Sequence, residues 1–297
     1  MRWNPNQILI LQQSEESANI LYYNIFEIGE PIDSLNMVYS IRIPLPRSCL
    51  KAELSAAQDK IIMLCDDDSI MLFNIEQNAI FALHSSVSAF DFALSQLDAI
   101  FVVSDQFGRV SLYDYALNTI QINYAELFNE EILHLRQIKF ISQNRFYIQF
   151  CGDKPNITIM TLPGVIDNKT LITEYVKNGK YQEAIGALQT INWNCYGDDA
   201  YFCLTTIFNQ LLKEPLNTIR ESQLETTLAT FFTPPIPIDE QIAADYKLEM
   251  HFLAKRFFYH LLRYNCLDKA FLLAIDLKSR QLFLLLHKIA HERGNEK

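Results

Sequence analysis

His287 and His291, in the run HKIAH, are the pair of side chains best spaced in this chain to hold a metal ion. Four residues apart on a helix, two imidazoles share one face, the arrangement used by zinc hydrolases. Such a site also needs a general base beside the first histidine and a third ligand. Lys288 stands where the glutamate of HExxH would be, and no third ligand is apparent. The pair therefore reads as two surface or half-buried histidines. His251 and His260, flanked by Phe252, Phe257 and Phe258, read as helix packing.

Other chemistry fares no better. Asp66-Asp67-Asp68 could suggest calcium, but no ligand spacing follows it, and aspartate is favoured in tight hairpin turns for its backbone tolerance. Asp198-Asp199 and Glu130-Glu131 are adjacent carboxylates of the kind usually left solvated. There is no GxxxxGK[ST], GxGxxG or GxSxG, and only 8 glycines in 297 residues. Nothing nominates a catalytic group, a metal site or a cofactor, so a non-enzyme is expected.

The elements that would position any site divide the chain in two. Residues 1–163 hold 10 Lys and Arg against 19 Asp and Glu, and residues 164–297 hold 15 against 16. An acidic front half lacks the clustered cations that tracking phosphates requires, which argues against nucleic acid as its partner. Six cysteines (Cys49, Cys65, Cys151, Cys195, Cys203, Cys266) without a CxxC pair suit free thiols in a reducing compartment, and no secretory signal is read at the N-terminus. Cytoplasm is the expected location. The longest apolar runs, Ala270 to Ile275 and Leu282 to Leu286, fall far short of the roughly 18 residues of a membrane span.

Up to about Gly164, short β-rich runs alternate with turn residues. DKIIMLCDDDSIMLFNI from Asp59 aligns with DAIFVVSDQFGRVSLYDY from Asp98, matching Ile61 to Ile100, Leu64 to Val103 and Asp66 to Asp105. After one inserted residue, Ile70 to Phe73 match Val110 to Tyr113. Asp66 to Asp68 and Asp105-Gln106-Phe107-Gly108 would be hairpin turns. RFYIQFCGDKPNITIMTL repeats the design, and ILILQQSEESANILYYNI is a looser copy. A period near 40 residues is that of a β-propeller blade. Residues 1–164 are thus expected to form a partial β-propeller of about four blades. An unclosed ring exposes strand edges. The expectation is an N-terminally incomplete version of a longer protein, or a partner over the open edge.

Residues 165–297 have helical spacing. Asp167 or Asn168 could cap the first helix, and Asp239 with Glu240 the one after the breaker TPPIPID. Helices such as Tyr201 to Leu212 and Glu221 to Phe232 lie between. YVKNGKYQEAIGAL from Tyr175 aligns without gaps on LLRYNCLDKAFLLA from Leu261, placing Ala184 on Ala270. Each copy reads as helix end, tight turn and helix start, the logic of a TPR-like α-solenoid. On this reading RFFYHLLRYNCLDKAFLLAIDL, Arg256 to Leu277, is two antiparallel helices covered from both directions. Lys255, Arg256, Arg263 and Lys269 form a weak basic feature, a candidate contact for a protein partner or anionic lipid. The plainer reading is that they solubilise an apolar helix pair.

The segments NWNCYGDDAYFCLTTIFNQLLKEPLNTIRESQLETTLATFFTPPIPI and RFFYHLLRYNCLDKAFLLAIDLKSRQLFLLLHKIA together resemble the fritz family of WD-repeat-containing planar cell polarity effectors. The likeness covers most of Lys169 to Ala290. It implies a WD-type β-propeller followed by helical repeats, without enzymatic activity or cofactor. It further implies a scaffold in the ciliogenesis and planar polarity effector assembly, with inturned-like and fuzzy-like subunits, a Rab-like small GTPase, intraflagellar-transport machinery and a link to septins. The implied location is the ciliary base and cytoskeleton, with at most peripheral membrane association. The alternative is a vesicle-coat or intraflagellar-transport subunit, which shares the propeller-then-solenoid layout.

Overall fold

The computed structural model describes residues 7–15, 17–29, 34–85, 88–107, 109–121, 134–151 and 156–292. The chain divides into two compact units, Met1–Asp167 and Asn168–Lys297.

The first unit consists of four antiparallel sheets in chain order. The first holds β1 (Gln7–Gln13), β2 (Ile20–Ile28) and β3 (Leu35–Pro44). The second holds β4 (Cys49–Leu54), β5 (Lys60–Cys65), β6 (Ser69–Asn74) and β7 (Ala79–His84). The third holds β8 (Ala89–Leu94), β9 (Ile100–Asp105), β10 (Val110–Asp114) and β11 (Thr119–Ile120). The fourth holds β12 (His134–Ser142), β13 (Arg145–Cys151) and β14 (Ile157–Thr161). Each strand pairs with its neighbour in sequence, as short turns between strands require. Apolar side chains of the first and second sheets meet in one core around Tyr23, Ile43, Met63 and Phe73. Those of the second and third meet around Leu64, Leu72, Phe101 and Tyr113.

The two middle sheets are copies: Ile70 to Phe73 lie on Val110 to Tyr113 as in the sequence match, but over the preceding strand the match sets β5 one residue off β9. Cys49 pairs with Cys65 and Ala89 with Asp105. The turn bond from Ser55 N to Lys60 O (2.8 Å) recurs from Ser95 N to Ile100 O (3.1 Å). Cys65 is therefore the counterpart of Asp105, and Ile61 that of Phe101. The reason lies in burial: β5 and β9 are buried at every residue, so neither shows the in-out alternation that fixes register in a sequence. The Asp66-Asp67-Asp68 turn behaves as a turn: Asp68 adopts φ 62°, and Asp67 Oδ1 accepts from Ser69 N at 3.1 Å. Gly108, in the matching turn, and the pair Glu130-Glu131 lie outside the described residues.

The second unit is helical: α1 (Asn168–Lys177), α2 (Tyr181–Thr190), α3 (Trp193–Leu211), α4 (Thr218–Phe232), α5 (Glu240–Arg263), α6 (Leu267–Asp276) and α7 (Arg280–Glu292). Helices α3 and α4 begin earlier than their apolar spacing indicated. Asn192 and Asn217 cap them, accepting from Asn194 N (3.0 Å) and Arg220 N (2.8 Å). Asp239 stands at the start of α5 without a side-chain capping bond. Instead its backbone N–H donates to Asn194 Oδ1 at 2.8 Å, tying the Pro-rich connection to α3.

One turn geometry occurs three times. After α1, α5 and α6 the chain passes through Gly179 (φ 71°), Asn265 (φ 60°) and Lys278 (φ 49°). The next residue closes back five positions: Lys180 N to Tyr175 O, Cys266 N to Leu261 O, Ser279 N to Ala274 O. This is the Schellman closure, which satisfies carbonyls left open at a helix end. The first two turns are those aligned in the sequence, and Ala184 and Ala270 are both completely buried. The third, at Lys278, was not read from the sequence. Coverage of the Arg256 to Leu277 stretch is one-sided: Phe257, Phe258, Leu261 and Ala270 are buried, whereas Tyr259, Phe271, Leu272 and Ile275 are exposed. Helix α6 packs on α5 and α7, and its Leu272 side stays uncovered among the described residues. No described helix is long and apolar enough to cross a membrane.

Candidate interaction site

Helices α4, α5 and α6 enclose an apolar groove of about 800 Å³. Ala254, Phe257 and Leu261 of α5 line it beside Leu228 and Phe232 of α4, with Leu272 and Ile275 contributed by α6. Its geometry follows from α6. Ala270 and Ala274, four residues apart, bring one face of that short helix close to its neighbours, so the bulkier Leu272 and Ile275 fall on another face. Lys269, at the start of α6, spans to α4, where it meets the buried carboxylate of Glu221 and lies 2.8 Å from that of Glu225. Hydrogen bonds to Glu221 and then Glu225 hold the Lys269 amine above its ordinary value. Burial, then the charge of Glu221, raises the nearby Cys266 thiol. The groove offers apolar surface with one clamped end, suited to holding a polypeptide segment.

The four basic residues singled out in the sequence do not converge. Lys255 and Arg263 are exposed on α5, Arg256 Nη1 donates to Asn209 Oδ1 at 2.7 Å, and Lys269 serves the α4–α6 clamp. Arg263, in the last turn of α5, also complements the helix dipole. The residues that matter most for the groove, Leu228, Phe232, Leu272 and Ile275, were missed. One signal was present: FLLAI in α6 carries apolar residues on two faces, and a helix covered on one side has no use for the second.

Other candidates have plain accounts. His287 and His291 are exposed on α7, and among the described residues no three His, Cys, Asp or Glu side chains gather as a metal would need. His251 meets Phe232 edge-on at 5.8 Å, and His260 is buried beside Tyr264. The adjacent carboxylates at 198 and 199 are not simply solvated. Asp198 accepts from Tyr246 OH at 2.5 Å, and Asp199 pairs with Lys169 at 2.6 Å. Burial, then the Asp198 hydrogen bond, pushes the Tyr246 hydroxyl up to about 12. None of the six cysteines is in a disulfide.

The family described as "WD repeat-containing and planar cell polarity effector protein Fritz" matches residues 13–168 and 154–297, taking in both units. A Xenopus laevis protein named WD repeat-containing and planar cell polarity effector protein fritz homolog is 28% identical, over 98% of this chain and 45% of its own length. The Homo sapiens homolog of the same name is 27% identical, over 88% of this chain and 39% of its own. The chain thus spans less than half the length of these relatives. Among solved structures, the C-terminal WD40 domain of Sif2 is similar at a TM-score of 0.34 and 16% identity, over 52% of this chain and 46% of that one. That likeness is too loose to add to the fold described above.

Proposed function

Because the chain belongs to the Fritz family of WD repeat-containing and planar cell polarity effector proteins, we propose that it is a non-enzymatic scaffold subunit of a ciliogenesis and planar cell polarity effector complex. The observation that carries this reading is the family match, which runs through the sheets and the helices alike. In this reading residues 1–164 are a partial WD-type β-propeller of about four blades and residues 165–297 a TPR-like α-solenoid. The four successive antiparallel sheets and the thrice-used helix turn support it. Such parts make broad interfaces without catalysis.

The partners proposed are inturned-like and fuzzy-like subunits. Through them the complex would recruit a Rab-like small GTPase and intraflagellar-transport machinery at the ciliary base, with septins as a cytoskeletal link. Location is cytoplasmic, peripheral wherever a membrane is met. The α4–α5–α6 groove is the proposed seat of one partner segment, with exposed Lys255 and Arg263 as flanking contacts to acidic protein surface. The test is affinity purification of the tagged chain from ciliating cells with mass spectrometry of what co-purifies. Inturned and fuzzy homologues support the reading. Coat or transport subunits recovered without them would replace it with the other propeller-and-solenoid class.

A further inference from the structure

In the second and third sheets the strand after the central hairpin is covered on its outer side: β7 pairs with β6, and β11 with β10. In the fourth sheet β14 follows β13 as β6 follows β5, and no strand among the described residues pairs beyond it. Its hydrogen-bonding direction can be worked out. Leu162 N donates to Asn144 O at 2.8 Å and Phe150 N to Asn156 O at 3.0 Å, with Arg145 opposite Thr161 and Gln149 opposite Ile157. In an antiparallel ladder these bonds turn Asn156, Thr158 and Met160 towards β13. Ile157, Ile159 and Thr161 turn their N–H and C=O groups outward.

The strand, ITIMT, is β-branched at four of its five residues and has no charge, proline or glycine. Exposed edges in monomeric sheets normally carry lysine, proline or a bulge to discourage pairing. None is present here, and the side chains of Ile157 and Ile159 are 63% and 60% exposed. The open face they belong to is basic: its rows run Lys139–Tyr147–Ile159 and Ser142–Arg145–Thr161. The three strands carry Arg136, Lys139 and Arg145 and no acidic residue, in a half of the chain that is otherwise strongly acidic.

We propose that the outer edge of β14 is a docking site for an extended acidic segment of a partner protein, which adds to the sheet as an antiparallel fourth strand. Backbone groups of Ile157, Ile159 and Thr161 supply the ladder. Apolar β-branched residues of the segment lie beside Ile157 and Ile159. Its carboxylate lies opposite Thr161, where strands spaced about 4.8 Å apart put it roughly 10 Å from the Arg145 backbone, a gap that two long side chains close. This is strand addition as peptide-binding domains use it, with backbone bonds giving affinity and alternate side chains giving selection. The site is in the sheet unit and does not depend on the helical groove.

The probe is a capped, fluorescein-labelled peptide Glu-Thr-Val-Thr-Val, titrated with the whole chain and followed by fluorescence anisotropy. Its glutamate falls opposite Thr161 and its valines opposite Ile159 and Ile157. Binding by the native chain is expected, with a loss of about tenfold or more on Ile159→Pro, which removes an outward N–H and no bond to β13. Arg145→Glu should weaken this peptide and strengthen Lys-Thr-Val-Thr-Val, a charge swap that stands even if the proline variant fails to fold. Equal binding by native and Ile159→Pro chains of unchanged circular dichroism would overturn the proposal. So would absence of binding, or self-association of the native chain through this edge that Ile159→Pro abolishes.

Discussion

Lys51 on β4 holds Asp91 on β8 at 2.6 Å, joining the second sheet to the third. The second oxygen of the same carboxylate accepts from Ile138 N of β12 at 2.9 Å, so one side chain pins three sheets together. Asp91→Ala would leave Ile138 N without its acceptor and take from Lys51 the carboxylate that ties it to the third sheet, leaving it Glu53 and the Phe92 carbonyl, and a cost of about 3 kcal/mol in urea unfolding is expected. Burial by itself would lower the Lys51 amine, but its bonds to Asp91 and Glu53 outweigh that and hold it above the usual lysine value. A folded-state value above the unfolded one means the contribution is complete below about pH 10.4 and is lost as pH rises through the folded value. The difference in stability between native chain and Asp91→Ala should be flat from pH 6 to 9 and shrink only in stronger alkali.

His260 gives the opposite dependence. It is buried in α5, its Nε2 has no hydrogen-bond partner, and burial, then the nearby Arg263, lowers its value. The unfolded chain takes up the proton first, so stability is complete above about pH 6.5 and falls as pH drops through the folded value. Helix melting followed by circular dichroism should show a lower midpoint at pH 5.5 than at 7.5. His260→Leu should shrink that difference, because it removes a proton acceptor and an unsatisfied buried atom together.

Ala184 and Ala270 are interchangeable in role, each completely buried one turn after a Schellman closure. Leucine at either position overfills a close helix contact, with an expected cost of about 1–3 kcal/mol in chemical denaturation. Leucine in place of exposed Ala244 on α5 should leave stability within about 0.5 kcal/mol.

Leu272 separates docking from folding. It lines the groove yet is 59% exposed, so Leu272→Glu should keep the native melting midpoint within experimental scatter. If the groove seats a partner segment, the same change places a charge in its apolar wall, and recovery of that partner in affinity purification should fall by about tenfold. Unchanged recovery would move the docking surface elsewhere.

How far the sequence discloses this molecule depends on which elements carry periodic contrast. The aligned turns at Gly179 and Asn265 were legible because helix end, left-handed residue and buried alanine recur at fixed offsets. The middle sheets were legible as repeats, with β6 in register on β10, but β5 was set one residue off β9 because both strands are buried throughout. The caps Asn192 and Asn217 were missed because asparagine serves turns as readily as helix starts. The groove was not legible as a site because three successive helices, α4, α5 and α6, supply its walls, and the two-faced FLLAI of α6 shows an uncovered face without showing what lies across from it.

The packing of the sheet unit also sets a timetable. First meets second, second meets third and third meets fourth, so within the sheet unit and among the described residues the two middle sheets are sandwiched and each end sheet has one neighbour. Brief openings should begin at the ends and travel inward. In heavy water the amides of β14 and β1 would take up deuterium soonest and those of β5 and β9 last, with Asp91 governing how long the fourth sheet stays shut.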